Sequence, residues 1–222
     1  MHTNSLATRA LLSCRQAVMA SQSASVPGFP FTSVIPIGTT FGGQIISLLS
    51  ETAQHTKNIA IDARVSMLLH DDIEQNWQEA TRLSVLGHMR PLKTDLETQS
   101  RLRTAFDLLH PELKEMNPST DYHCWYLEPV RFRFVSSLGR IHWIDRVRAE
   151  LFELSAEERD QLGHILALRD IHAQVIQAGS YGIQVIEQGH VRFLNLNEPV
   201  AAITELLEQM NAGQFDDPIN VE

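Results

Sequence analysis

The chain has 222 residues, of which 43% are hydrophobic and 20% are charged, and its formal net charge is −9 at pH 7. This length and composition are typical of one globular domain, or of one domain with a small appendage. The negative charge argues against general binding to nucleic acids or to anionic membranes, because both partners need a basic protein surface.

In chain order, the first two thirds of the chain are rich in short strands. The spacing of apolar residues and the turn residues between them predict a helix over 5–16, strands at 17–21, 31–37 and 44–49, a helix over 53–61, strands at 64–70 and 81–89, a helix over 94–110, and strands at 122–135 and 139–144. We expect the strands at 31–37 and 44–49 to form a hairpin. Thr94 and Glu97 predict a capping box at the start of the helix over 94–110.

The pattern changes near residue 149. Ser155 and Glu158 predict a capping box that opens a long helix, and Gly179 is its expected end. Two short strands around Gln188 and a helix at about 198–211 follow. We therefore expect one domain over 1–148 and a small helix–strand–strand–helix domain over 149–222. Because no βαβ alternation occurs, a doubly wound parallel sheet is not expected.

The cysteines and the N-terminal segment bear on the compartment. Cys14 and Cys124 lie far apart and form no CxxC pattern, so we expect neither a disulfide framework nor a cysteine zinc site. The segment MHTNSLATRALLSCRQAV lacks the continuous apolar core of a signal peptide. No segment approaches the roughly 18 apolar residues of a membrane helix. These features predict a cytoplasmic protein without a membrane partner.

Hydrogen-bond donors are concentrated where the strand at 44–49 ends and the next helix begins. The polar side chains there are Ser50, Gln54, His55, Thr56, Lys57 and Asn58. The free backbone N–H groups and the dipole of a helix start both favour an anion, so one interpretation is a phosphate site. The alternative is an ordinary helix start whose polar residues are solvated.

Three segments carry a family resemblance: PGFPFTSVIPIG, ISLLSETAQHTKNIAIDARVSMLL and TRLSVLGHM. In this order they resemble the pyridoxamine 5′-phosphate oxidase-like split-barrel superfamily, most closely its haem-utilisation (HugZ/HutZ-like) branch. The resemblance covers about residues 6–145. It implies a six-stranded antiparallel split β-barrel with peripheral helices, α+β and mostly β in class. It also implies a homodimer with cofactor pockets at the subunit interface. In flavin-binding members the turn matching 50–58 binds the FMN phosphate, and Arg64 would add charge.

The segment DYHCWYLEPVRFRFVSSLGRIHWID, residues 121–145, resembles the part that follows in the same branch. The matching positions are Asp121, Pro129, Val130, Arg131, Gly139 and Trp143. The resemblance places Asp121 near haem, where it would support a proximal histidine. That histidine would come from a helix after the barrel, and the sequence LRDIH makes His172 the candidate iron ligand. A carboxylate can orient an iron-bound imidazole through its second nitrogen. The alternative is an ordinary surface histidine.

The remaining candidates are open to two interpretations each. Arg131 and Arg133 can meet an anionic propionate or phosphate, or they can form the solvated face of an alternating strand. Trp77 and Trp143 can line a flavin or porphyrin edge, or they can pack in a core or interface. His164 lies eight residues before His172, so on one helix the two could face the same ligand.

The resemblance implies three alternative functions. The first is a haem-utilisation protein that binds haem at a dimer interface and degrades it with oxygen. The second is an FMN-binding oxidoreductase, and the third is a non-catalytic dimeric binding module of the same fold. Pyridoxamine phosphate oxidation itself is the least expected, because the C-terminal Trp and Arg signature of the true oxidases is missing.

Overall fold

The computed structural model describes residues 3–40, 43–70, 81–116, 121–136, 140–145, 147 and 150–216. The chain divides into two compact units, one drawn from residues 1–40 and 44–147 and the other from residues 41–43 and 148–222. Within the described ranges, no helix combines the length and the apolar character that crossing a bilayer requires.

The first unit is a curled antiparallel sheet with helices around it. Its elements are α1 (Thr3–Ser13), β1 (Gln16–Gln22), β2 (Pro30–Pro36), β3 (Gly38–Thr39), β4 (Ile45–Ser50), α2 (Gln54–Ile61), β5 (Arg64–His70), β6 (Arg82–Pro91), α3 (Leu96–Leu109), α4 (Pro111–Met116), β7 (Tyr122–Ser136) and β8 (Arg140–Ile144). The strand order is β2-β1-β5-β6-β7-β4-β3, with β8 paired to β7. The predicted split-barrel class is confirmed.

Alternating side chains define the inner face of this sheet. On β5 and β6 the pairs Met67–Val85 and Leu69–Leu83 are opposite one another and almost completely buried, whereas the residues between them are more exposed. A β-bulge follows at Gly87, where an added Cβ would lie 2.5 Å from the backbone oxygen of Glu128. Only glycine allows β6 and β7 to approach so closely at this point.

The predicted hairpin between 31–37 and 44–49 is wrong. β2 pairs with β1 along its whole length, and β4 pairs with β7 and with the two-residue strand β3. The segment GTTFGG, residues 38–43, does lead into an antiparallel pairing with β4. The residues that pair with β4 are Gly38–Thr39, at the beginning of this segment, and not β2. The glycine-rich composition of the turn was therefore informative, whereas strand pairing depends on partners distant in sequence.

The N-cap of α3 lies one residue later than the predicted cap, Thr94. This N-cap is Asp95, whose Oδ1 accepts a hydrogen bond from the backbone N–H of Thr98 at 2.8 Å. Thr94 lies before the cap, so the predicted Thr94–Glu97 capping box is wrong. The Asp95 carboxylate satisfies a first-turn donor at this helix start.

The second unit is a five-stranded antiparallel sheet with two helices. Its elements are β9 (Leu151–Phe152), α5 (Ala156–Ala167), β10 (Gln174–Gly179), β11 (Gly182–Glu187), β12 (His190–Leu196), α6 (Ile203–Ala212) and β13 (Phe215–Asp216). The strands follow the order β13-β12-β11-β10-β9. Leu162 and Leu166 of α5 and Leu206 of α6 belong to its buried core.

The predicted capping box of α5 is confirmed, but its predicted length is wrong. Ser155 and Glu158 exchange both hydrogen bonds of the box. The helix ends at Ala167 rather than Gly179, and Asp170 takes a left-handed conformation with φ of 59°. The stretch predicted as the end of this helix forms β10, whose Val175 and Ile176 are buried. β-Branched side chains favour this extended conformation.

Candidate functional site

The end of β4 and the start of β7 bring three polar side chains together, which we call the Asp121 cluster: Ser50, Thr52 and Asp121. Asp121 directly precedes β7, and Ser50 is paired with Tyr122 across the two strands. The Ser50 hydroxyl donates to Oδ2 of Asp121 at 2.7 Å, and the Thr52 hydroxyl lies 3.5 Å from the same oxygen. The backbone N–H of Glu51 donates to the Asp121 carbonyl at 2.9 Å. The position of the carboxylate is therefore fixed from two sides.

The second carboxylate oxygen of Asp121 is different. Its Oδ1 is buried and has no hydrogen-bond partner among the described residues. A buried acceptor that makes no hydrogen bond costs roughly 1–3 kcal/mol, so such atoms are uncommon unless a ligand or another group completes them. The cluster thus offers one oriented, unused acceptor.

The Asn58 side chain, predicted to contact a phosphate, lies in a buried network instead. Its Oδ1 accepts from the backbone N–H of Ala24 and from Nε2 of Gln54, each at 2.9 Å. Its Nδ2 donates to the Ser21 hydroxyl at 3.1 Å. Asn58 is completely buried. The structure therefore uses Asn58 and Gln54 to join α2 to the loop after β1.

The start of α2 retains unused donors. The N-cap residue is Ala53, which provides no side-chain acceptor to the first turn. Thr56 is buried, and its hydroxyl has no hydrogen-bond partner in the described part of the chain. Half-burial lowers the pKa of His55, which favours its neutral form. Lys57 is exposed, so it brings a mobile positive charge to this helix start.

Arg64, the other predicted source of positive charge, is paired. Its Nε donates to both carboxylate oxygens of Asp62, at 2.9 and 3.1 Å. These hydrogen bonds lower the pKa of Asp62 to about 2. The Arg64 guanidinium is therefore directed at Asp62, and a phosphate at the α2 start would compete with this carboxylate for it.

Arg131 and Trp143 lie together on the outer face of β7 and β8. The guanidinium carbon of Arg131 is 5.0 Å from the centre of the Trp143 ring, a cation–π contact. Trp143 is 54% exposed. Arg131 also lies near the Asp145 carboxylate, with 3.9 Å between Nε and Oδ1. Trp77 and Gly139, which the sequence analysis also names, lie outside the described residues.

His172 lies in the loop between α5 and β10, and its side chain is exposed. Its backbone N–H donates to Oε1 of Glu187 at 3.2 Å. Because α5 ends at Ala167, His164 and His172 do not share a helix, and the predicted common face is wrong. In the described ranges, no three His, Cys, Asp or Glu side chains are grouped to bind a metal ion.

The structure thus joins two candidates that the sequence left separate. Ser50 belonged to the predicted phosphate turn and Asp121 to the predicted haem segment, yet they share a hydrogen bond. Sequence reasoning missed Thr52, which also approaches Asp121, and Ser21, which holds Asn58. Their partners are 69 and 37 residues away, so no local spacing could have indicated them.

Solved structures with similar folds extend over most of the chain. The protein Atu2129 from Agrobacterium tumefaciens, whose function is unknown, has a TM-score of 0.71 at 16% identity and covers 94% of each chain. A haem-binding protein from Mycobacterium smegmatis has a TM-score of 0.59 at 18% identity, covering 96% of this chain and 98% of that one. ChuZ from Campylobacter jejuni has a TM-score of 0.54 at 20% identity, covering 63% of this chain and 58% of that one.

These identities establish similarity of fold. Among curated proteins, none matches the chain. The comparisons show the split-barrel fold, whereas the pyridoxamine 5′-phosphate oxidase-like superfamily and its haem-utilisation branch stay predictions. A family model described as the CREG β-barrel matches residues 2–152, which is more than half of the chain. The chain therefore belongs to the CREG β-barrel family.

Proposed function

We propose that this protein binds haem and that Asp121 accepts a hydrogen bond from the imidazole that ligates the iron. The observation that carries this proposal is the Asp121 cluster. One carboxylate oxygen is held by Ser50, and the other is buried without a partner among the residues described. An imidazole N–H is the donor that such an oxygen receives at many metal sites. The Asp121 cluster therefore offers an acceptor suited to an iron-bound imidazole.

His172 is the candidate iron ligand, as the sequence predicts. Its side chain is exposed, and it lies in a loop, where a ligand residue can adjust its position more readily than on a helix. Bound haem would supply the iron chemistry with oxygen. The protein's own part is to hold the imidazole in one tautomer through Asp121 and to keep that carboxylate oriented through Ser50 and Thr52. The haem-binding M. smegmatis protein of similar fold supports the proposal.

A homodimer is part of this proposal. The outer face of the large sheet carries exposed apolar side chains, which a second copy can cover. Among these side chains, Val34 is 66% exposed and Trp143 is 54% exposed. In the homodimer, Arg131 and Trp143 would lie at or beside the interface, where they could contact a propionate and the edge of the porphyrin.

The test is haem titration followed by absorption spectroscopy. We expect a Soret band in the wild type that His172→Ala removes or shifts. Asp121→Asn should change the band less, because the amide keeps the shape of the carboxylate but is a weaker acceptor. His164→Ala, an exposed histidine of the same unit, is the matched control.

An unchanged spectrum in His172→Ala would assign the ligand elsewhere. An unchanged spectrum in both His172→Ala and Asp121→Asn would contradict the proposal. Circular dichroism of each variant separates loss of a ligand from loss of fold.

FMN is the second candidate, and the start of α2 favours it. No side chain caps this helix, and the buried Thr56 hydroxyl has no described partner. Backbone N–H groups and a hydroxyl at a helix start suit a phosphate. Asn58, Gln54 and Arg64 already have protein partners. The FMN site would therefore rely on His55, Thr56 and Lys57.

Thr56→Val tests the flavin alternative. The substitution keeps the side-chain shape and removes the hydroxyl, so the fold should persist while FMN affinity falls about 10-fold or more, the value of one hydrogen bond to a charged group. Lys57→Met should weaken FMN as well. Equal FMN affinity in the wild type and Thr56→Val, measured by flavin fluorescence, would exclude this phosphate site.

A further inference from the structure

A groove of about 650 Å³ lies in the first unit between the first turns of α3 and the strands β4 and β7. Its floor includes Leu48, Leu92 and Trp125. Neither Asp121 nor Thr56 lines the groove, although Glu51 and Tyr122, which do, adjoin the Asp121 cluster in sequence. Cavities of this size with a largely apolar lining are typical of small-molecule sites.

The charged groups that line the groove differ in whether a protein partner lies beside them. Glu51 and His123 are within 2.8 Å of one another, and the Nε of Arg103 donates to Asp107 at 3.0 Å. Lys93 has no ion-pair partner among the residues that the structure describes. The Lys93 ammonium beside an apolar floor complements a carboxylate that carries an apolar body.

Trp125 gives a second indication of a ligand. It lines the groove, and its indole N–H is buried with no acceptor in the described ranges. Buried indole N–H groups usually find a hydrogen-bond partner, and an unmade bond is costly. A ligand acceptor that reached this N–H would recover that cost. Leu96, at the mouth of the groove, is 84% exposed and would be covered by the same ligand.

We propose that the groove binds a small amphipathic monocarboxylate, with its carboxylate at Lys93 and its apolar body on Leu48, Leu92 and Trp125. The ligand lies beside α3 and makes no use of the Asp121 cluster. Its binding therefore does not require haem or FMN.

The probe is 4-(1-pyrenyl)butyrate, with its primary amide as the uncharged control. Titration of the full chain should give saturable quenching of tryptophan fluorescence by energy transfer to pyrene, with calorimetry as a second measurement. Lys93→Met keeps the aliphatic stem and removes the charge, and because Lys93 is exposed it should weaken the carboxylate roughly 2- to 5-fold while leaving the amide unchanged. Arg140→Met is the control for loss of a surface cation, because Arg140 is exposed on β8 and does not line the groove.

Leu96→Glu provides a variant that should fold normally, because Leu96 is already exposed. It places a negative charge at the mouth of the groove and should also weaken the carboxylate. The proposal is overturned if the carboxylate and the amide bind the wild type equally, if no saturable binding occurs, or if Lys93→Met and Arg140→Met have the same affinity for the carboxylate as the wild type.

Discussion

At the scale of single residues, Asn58 illustrates how one buried amide positions a functional segment. It accepts two hydrogen bonds and donates a third, and the three partners come from α2, β1 and the loop after β1. Because the side chain is completely buried, water cannot replace these bonds if the amide is removed. Asn58 therefore attaches α2 to β1 and to the loop after β1, and its side chain binds these segments rather than a ligand at the helix start.

Asn58→Ala should destabilise the first unit by about 2–4 kcal/mol, the sum of three hydrogen bonds of ordinary net value. Urea unfolding followed by tryptophan fluorescence measures this, since all three tryptophans of the chain, Trp77, Trp125 and Trp143, belong to that unit. Lys57→Ala, an exposed neighbour on the same helix, should change the free energy of unfolding by no more than about 0.5 kcal/mol. Similar losses in both variants would contradict the role assigned to Asn58.

At the scale of elements, His110 joins the end of α3 to the segment between β2 and β3. The ring is completely buried, and its Nε2 lies 2.8 Å from the Ile37 carbonyl oxygen, to which it donates. Its Nδ1 is 3.4 Å from the Glu112 carboxylate, which accepts a hydrogen bond from Arg15. Burial is the main cause that lowers the pKa of His110, and the charge of Arg15 acts in the same direction. The neutral imidazole is therefore the form that the folded chain holds.

This lowered pKa predicts acid sensitivity. In the unfolded chain His110 takes up a proton near its ordinary pKa of 6.5, whereas the folded chain resists protonation until a lower pH. The unfolded state then binds more protons, so stability is present above pH 6.5 and falls as the pH drops below it. We expect His110→Gln, which can still donate to Ile37, to lose less free energy of unfolding between pH 7.5 and 5.5 than the wild type. The exposed His190, changed to Gln, serves as control; equal pH dependence in all three proteins would refute the assignment.

Some helices and strands can be predicted from residues that are close in sequence. The Ser155–Glu158 capping box and the strand at 64–70 depend on residues close in sequence, and the sequence predicts both. The end of α5 was missed because Ala167 and Leu168 can continue a helix. The chain turns instead at Asp170, so that Val175 and Ile176 can join a sheet whose other strands are β9 before α5 and β11, β12 and β13 later in the chain. Such tertiary overrides are not visible in a local window.

At the scale of the whole molecule, the split barrel followed from the resemblance and its motifs, and it is confirmed. The candidate site was predictable only in part. Ser50 and Asp121 were each named, but their hydrogen bond depends on the pairing of β4 with β7 across 71 residues of sequence. The side-chain partners of Arg64 and Asn58 were equally hidden, because a donor in the sequence does not reveal whether the protein itself already provides its acceptor.

The outer face of the sheet leads to the last prediction. One row of directly paired residues crosses six strands: Val34, Val18, Leu68, Ser84, Arg133 and Trp143. Six strands span about 24 Å, which is wide enough for an ordinary protein interface.

Leu86 lies on the same face, opposite Arg131, and is 41% exposed. We expect a homodimer at micromolar concentration, because a second copy would remove this apolar strip from water. The double variant Val34→Glu, Leu86→Glu should be monomeric, since each glutamate would lose its hydration at the interface. Leu96→Glu on α3 should stay dimeric, because its side chain does not lie on that sheet. Sedimentation velocity distinguishes the species: a monomeric wild type, or a dimer that persists in the double variant, would show that this face is not the interface.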